Sequence, residues 1–380
     1  MAARIPALTG IRTIAALSVC LTHAAFWTGH YTDDYVGRLL SRFEVGVAIF
    51  FVLSGYLLFA PWVNALADGR SSPSVGRYFW HRARRILPAY WLTVIAVYAL
   101  FLVYDPPDAS PTGTGLAGFL RNMTLTQVYG VGHLHSGLTQ MWSLAAEVVF
   151  YLLLPVIAWV LVVAVCRRRW RPDLLIVGLL ALMLVSPIWS AVVAGSNGID
   201  ATARLGAPAF LGWFVAGMLL AVCTHLVRRW NPTISVGIAV AAFLLSGTAI
   251  AGEPTITPTT ASATIVKHVL YIVVAVGLIG PLTVRPPGIL DDGDRPDWWS
   301  RVCGSRPIVW LGEISYEFFL VHVLVLEILM DILGYGVFSG SMPVAFIATT
   351  VVSVPVAWGL HRLTRPLWRA RTPGAVATRR

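Results

Sequence analysis

An arginine and a histidine, Arg12 and His23, stand eleven residues apart inside the apolar run IPALTGIRTIAALSVCLTHAAFWTG. On an α-helix that spacing is about three turns, within about 20° of alignment and about 16 Å along the axis, so both side chains share one face. Ionisable groups inside an apolar span cost about 3 kcal/mol each even on lenient insertion scales, so they demand pairing or a function. A guanidinium fork suits phosphate, and an imidazole suits proton transfer at neutral pH.

Three further stretches supply partners. In QMWSLAAEVVFYLLLP, from Gln140 to Pro155, the rise per residue sets Glu147 at the level of His23. This predicts a His23–Glu147 pair in which the carboxylate fixes the imidazole tautomer and raises the basicity of the other nitrogen. In LGEISYEFFLVHVLVL, from Leu311 to Leu326, Glu313 falls near the level of Arg12 and His322 near that of His23. Ser315 and Tyr316 can line the same path, and an Arg12–Glu313 ion pair is the structural alternative for the arginine. In RYFWHRARRILP, from Arg77 to Pro88, Arg82, Arg84 and Arg85 crowd one mouth and can grip phosphate bidentately. Membrane topology alone also places arginines there.

The elements that must position these groups are membrane helices. Of 380 residues, 57% are hydrophobic and 12% charged, half the charged share of a soluble globular chain. The pattern predicts an all-α, polytopic membrane protein, a bundle of about ten transmembrane helices of about 20 residues each. The expected spans are 7–28, 45–67, 86–104, 142–165, 174–195, 206–227, 233–252, 264–284, 307–331 and 342–361, within a single membrane domain over 1–380. Most of the 28 lysines and arginines fall in alternate connections and the tail, which predicts that both termini are cytoplasmic. Lys267 is expected to snorkel at the outer start of its span.

The formal charge of +10 marks the cytoplasmic face, requires no nucleic acid, and leaves a basic tail over 362–380 suited to anionic lipid. The length of the first span and its interior Arg12 predict a retained helix and not a signal peptide. Cys20, Cys166, Cys223 and Cys303 have no metal-ligand spacing, so neither disulfide nor metal site is expected. The long outer connection from Asp105 to Gln140 exceeds ordinary loop length and reads as functional or lid-like, with His133 and His135 as surface histidines. His81, His225 and His361 fall at cytoplasmic helix ends. Trp142, Tyr151, Phe50 and Phe51 read as packing or interface residues.

Read together, five stretches resemble the acyltransferase-3 family of integral-membrane O-acyltransferases. They are R-x10-H at Arg12 and His23, GVAIFFVLSGYL from Gly46, R-x-x-R at Arg82 and Arg85, WSLAAEVVFY from Trp142, and LGEISYEFFLVH ending at His322. The resemblance implies transfer of an acyl group, acetyl by default, from cytoplasmic acyl-CoA as donor substrate to a hydroxyl of an extracytoplasmic glycan, glycolipid or similar acceptor. It implies functional roles for Arg12, His23, Arg82 and Arg85. Many relatives have a basic or polar residue where Glu313 stands, and some carry a fused extracytoplasmic domain that is not expected in this chain.

The resulting candidates are His23, Glu147 and Arg12 for catalysis, and Arg82, Arg85, Arg12 and Arg84 for the donor. Ser143, Tyr316, His322 and Glu313 are supporting residues. His23 can act as general base or carry the acyl group itself, and direct transfer needs fewer steps. The rival from another class is a transporter or flippase of an envelope lipid or glycan, with Arg12, His23 and Glu147 as a proton relay. The absence of a visible internal repeat weighs against it.

Overall fold

A computed structural model describes residues 5–104, 112–195, 201–255, 260–284 and 296–368. Those residues are helical or irregular, with no strand among them. The tail beyond 368, and 105–111 of the outer connection, lie outside the described residues.

In chain order the helices are α1 (Pro6–Trp27), the short α2 (Tyr35–Ser41), α3 (Val45–Ala67), α4 (Val75–Leu100) and the short α5 (Gly115–Met123). Then come α6 (Trp142–Trp159), α7 (Pro172–Met183), α8 (Val185–Gly195), α9 (Ala207–Cys223) and α10 (Pro232–Ser246). The last are α11 (Ala261–Thr283), α12 (Trp298–Cys303), α13 (Arg306–Glu313), α14 (Ser315–Ile332) and α15 (Met342–Trp368). Among the described residues, seven helical stretches are long and apolar enough to cross a membrane, or eight when the α13–α14 pair, bent by 70°, counts as one. The arginine-bearing α4 and the 15-residue α10 coincide with the other two expected spans. The chain is a multi-pass membrane protein.

Three expected spans differ in shape. The third begins eleven residues early, at Val75, because the arginine-rich approach is itself helical and packs against α6 and α15. The fifth breaks at Leu184 into α7 and α8. The ninth bends at Ile314, between α13 and α14.

Close backbone approach explains the bend. A β-carbon on Gly312 would stand 2.0 Å from the Thr9 carbonyl oxygen, so α13 lies directly on the start of α1. Thr13 Oγ1 fastens the contact by donating to the Ile308 carbonyl at 2.7 Å. α1 is ringed by α3, α11 and α12 to α15 and is the central post of the bundle. α3 and α9 meet at reciprocal glycines, where a β-carbon on Gly55 would strike the Phe214 carbonyl and one on Gly217 the Val52 carbonyl, both at 2.0 Å. In hydrocarbon, where apolar burial between helices brings little, such contacts supply the packing.

The described part of the outer connection, from residue 112 on, is packed against the bundle. Asn122, Gln127, His135 and Ser136 are buried in it. Gln140, at its end, donates to the Leu320 carbonyl of α14 at 3.0 Å. The connection therefore dips into the bundle before α6 begins.

Candidate active site

Two levels of polar side chains lie inside the bundle, joined by one face of α1. The inner level gathers Arg12 with Arg82 and Arg85 of α4 and with Glu147 and Tyr151 of α6, all close enough to act on the Arg12 charge. Glu147 is oriented by two hydroxyls. Ser54 of α3 donates to its Oε1 at 2.6 Å, and Tyr151 donates to the same oxygen. Tyr78, near the start of α4, donates to the Tyr151 carbonyl at 3.0 Å and ties α4 to α6.

The arginines divide by how they are held. Arg85 pairs with Glu317 at 2.9 Å and stacks its guanidinium 4.6 Å from the Trp368 ring and 5.3 Å from the Tyr316 ring. Arg84 turns away, donating to the Leu367 carbonyl at 2.5 Å and lying 5.4 Å over Trp80. Neither Arg12 nor Arg82 makes a hydrogen bond or ion pair with another described residue, and both are only half-buried. A half-buried guanidinium with accessible surface and no direct ion pair, its nearest carboxylate Glu147 being bonded to two hydroxyls instead, can take an anion.

The outer level holds His23 and His322. Nδ1 of His23 lies 2.9 Å from Nε2 of His322, and the rings are nearly coplanar, 8° apart with centroids at 5.1 Å. His322 Nδ1 lies 2.8 Å from the Phe319 carbonyl oxygen. A carbonyl only accepts, so His322 carries its proton on Nδ1, and its Nε2 is a lone pair. His23 must then donate from Nδ1, which leaves the lone pair of His23 on Nε2. That atom has no partner among the described residues and is not sealed from solvent, whereas His322 is fully buried. The arrangement presents one accessible nitrogen base whose tautomer is fixed from behind.

Several expectations change in the structure. Glu147 does not pair with His23, because α6 starts deeper than its sequence suggests. Gln140 already sits at the level of Leu320, and seven residues of helix carry Glu147 about 10 Å further in, to the arginines. His322 takes the place expected of the carboxylate. Arg12 and Glu313 form no ion pair, and the carboxylate that the bent α13–α14 unit brings to the arginines is Glu317, one turn on.

Glu317 is fully buried, also lies 3.1 Å from His361 Nδ1, and was missed in the sequence. His361 is accordingly buried and not interfacial. Tyr316 donates to the Ile86 carbonyl at 3.0 Å and lies beside Arg85. Ser143 turns its hydroxyl back to the Gln140 carbonyl at 3.2 Å, and Ser315 turns its own to the Gly312 carbonyl at 2.9 Å, so both serve their helix starts. His135, expected on the surface, is buried against Tyr98 and Phe101, and burial lowers its pKa. Lys267 pairs with Glu44 at 2.7 Å and does not snorkel.

Between the levels, the α1 face presents Ala16 and Val19, which are 5% and 2% exposed. Along this face of α1, little surface is open between the two levels.

Residues 5–362 match the acyltransferase domain model of the acyltransferase-3 family, and the chain belongs to that family. Among curated relatives, it is 27% identical over 377 residues to acyltransferase MdmB of Streptomyces mycarofaciens, a match covering 92% of this chain and 88% of that one. It is 24% identical over 357 residues to the peptidoglycan O-acetyltransferase OatA of Listeria monocytogenes, covering 87% of this chain and 50% of the relative. It is 32% identical over 245 residues to the exopolysaccharide production protein ExoZ of Rhizobium meliloti, covering 61% and 64%. The chain thus spans most of the Streptomyces relative but about half the length of the Listeria one. No solved structure matches it.

Proposed function

We propose that this acyltransferase moves an acyl group, acetyl by default, from cytoplasmic acyl-CoA to a hydroxyl of an extracytoplasmic glycan or glycolipid, across an inner membrane that leaves both termini in the cytoplasm. The single observation that carries the reading is the ordered pair of imidazoles, whose hydrogen-bond direction leaves His23 Nε2 as an accessible lone pair. The positive-inside pattern of the arginines supports the orientation.

Arg82 and Arg12 take the phosphates of the donor at the inner level, with Arg85 held beside them by Glu317. The donor's flexible arm covers the about 16 Å to His23. His23 Nε2 accepts the proton of the acceptor hydroxyl as that oxygen attacks the thioester carbonyl. The carbon–sulfur bond breaks, and the departing CoA thiolate takes the proton back from the imidazolium. His322 shares the positive charge through the Nδ1–Nε2 hydrogen bond while it lasts.

The transport reading needs Glu147 beside His23 as the next proton carrier, and the separation of Glu147 to the arginine level supports transfer instead. The deciding experiment is CoA release from acetyl-CoA by the full chain in lipid nanodiscs. Acceptor-dependent release that His23→Ala abolishes is the expected result. Absence of release with any acyl-CoA and any acceptor would overturn the reading.

A further inference from the structure

A second ion pair, used neither by the arginine level nor by the imidazoles, lies between α3 and α11. Glu44 precedes the first turn of α3, and its Oε1 accepts from Lys267 Nζ at 2.7 Å and from the Tyr271 hydroxyl at 3.1 Å. Tyr271 is fully buried and Lys267 keeps 15% of its side-chain surface, yet the Glu44 side chain is 41% exposed. Both hydrogen bonds go to Oε1. Oε2 has no partner among the described residues and remains accessible. A carboxylate backed on one oxygen by buried donors and accessible on the other can accept a further hydrogen bond from a ligand.

Helix geometry places this carboxylate level with His23. Ser54, which bonds Glu147, is at the arginine level. Glu44 precedes it by ten residues, about 15 Å of helix toward the outer side, while His23 stands about 16 Å outward of Arg12 on the antiparallel neighbour α1. A hydrogen bond on the adjacent residue supports the same level. The Thr22 and Tyr31 hydroxyls lie 2.6 Å apart, and Tyr31 is near enough to Glu44 to feel its charge.

The chemistry of the pair selects its ligand. An anionic acceptor group would meet the open oxygen of Glu44 and be repelled. A simple lipid alcohol has one hydroxyl and can meet only one of the two charged groups at a time. A vicinal diol can give one hydrogen bond to the carboxylate and take one from the ammonium, and burying both partners of such a pair is what makes recognition selective.

We propose that Glu44, with Lys267 and Tyr271 behind it, is the acceptor subsite, and that the acceptor presents a neutral polyhydroxylated sugar ring there. This rests on the acyl-transfer reading of His23 for its purpose, but not for its binding. Neighbouring hydroxyls of the ring engage Glu44 Oε2 and the Lys267 ammonium, and another hydroxyl of the same sugar is left for His23.

The test uses the full chain in nanodiscs with three neutral probe sugars, methyl α-D-glucopyranoside, N-acetylglucosamine and trehalose, read by the rise in melting temperature and by CoA release. At least one sugar is expected to stabilise the wild type. Glu44→Gln and Lys267→Met are expected to weaken that binding about tenfold or more, the effect of losing a hydrogen bond to a charged group, and to leave the KM for acetyl-CoA unchanged. His23→Ala should keep sugar binding and lose release. Should Glu44→Gln fail to fold, Glu44→Asp retains the charge and withdraws the oxygen by one methylene, and the same loss is expected.

Stabilisation by none of the sugars, or wild-type affinity in the folded Glu44 variants, overturns the subsite. Sugar binding that depends on Glu44 without CoA release upholds the subsite and removes acyl transfer. Release whose acceptor KM ignores Glu44 does the opposite.

Discussion

His322 holds its one free lone pair 2.9 Å from Nδ1 of His23, and its own proton is committed to the Phe319 carbonyl. The tautomer of His23 is therefore set by a backbone carbonyl on another helix, through an intervening ring. A buried histidine that can only accept on that side fixes the tautomer of His23, and in the proposed reaction this makes it a positioning residue.

Replacing it separates positioning from packing. His322→Phe keeps an aromatic ring but offers His23 no acceptor, so the His23 proton is free to occupy Nε2. The expected result is a loss of about 100-fold or more in kcat, within the range that a positioned base contributes, at unchanged KM for acetyl-CoA. His322→Gln can still accept on its carbonyl oxygen, and partial recovery of kcat is expected. Equal kcat in His322→Phe and the wild type, measured by steady-state CoA release, would deny the relay.

Arg82 and Arg84 are two residues apart and do different things. Arg82 keeps its guanidinium half-buried and unbonded among the described residues, whereas Arg84 caps the Leu367 carbonyl at 2.5 Å. Charge-assisted hydrogen bonds contribute about 1.5–3 kcal/mol, so Arg82→Ala should raise the KM for acetyl-CoA by about 10- to 100-fold. Arg84→Ala should change it by less than about threefold, as befits a helix-end contact near the surface. Similar KM values for the two variants would mean that general basicity, and not a defined phosphate site, draws the donor.

What the sequence disclosed and what it hid follow from range. The helices and the shared face of Arg12 and His23 are local, because apolar runs and a 3.6-residue period are written in neighbouring residues. Partnership is not local. Glu147 lands with the arginines because an outer connection folds inward before α6 begins, and nothing in WSLAAEVVFY records that depth. Hydropathy reads the arginine-rich start of α4 as loop, since it sees charge and not the polar interior that receives it. Glu317 could have been found. A carboxylate inside an apolar span carries the same cost that drew attention to Arg12.

That carboxylate is fully buried and has two basic neighbours, Arg85 at 2.9 Å and His361 at 3.1 Å. Removing one member of a buried pair strands the other, at a cost of about 3–5 kcal/mol. Glu317→Ala should therefore lower the melting temperature in nanodiscs more than any single arginine-to-alanine change at the mouth. The double variant Glu317→Leu with Arg85→Met removes both charges and should recover much of the stability, but not the KM for acetyl-CoA. Equal stability of the single and double variants would show that the pair is not coupled.

Gly312 tests whether the inner level depends on how tightly α13 lies against α1. A methyl group there would stand 2.0 Å from the Thr9 oxygen and 2.7 Å from the Thr9 carbonyl carbon, both backbone atoms that cannot rotate aside. Gly312→Ala must push α13 off α1, and α14 follows across the bend with Tyr316 and Glu317. Overpacking of this kind costs about 1–3 kcal/mol, so a lower melting temperature is expected. The sharper expectation concerns position. Displacing Glu317 loosens Arg85 beside Arg12 and Arg82, so the KM for acetyl-CoA should rise, while sugar binding at Glu44, between α3 and α11, should not change. A Gly312→Ala protein that melts early yet keeps the donor KM of the wild type would separate the packing of α13 from donor binding altogether.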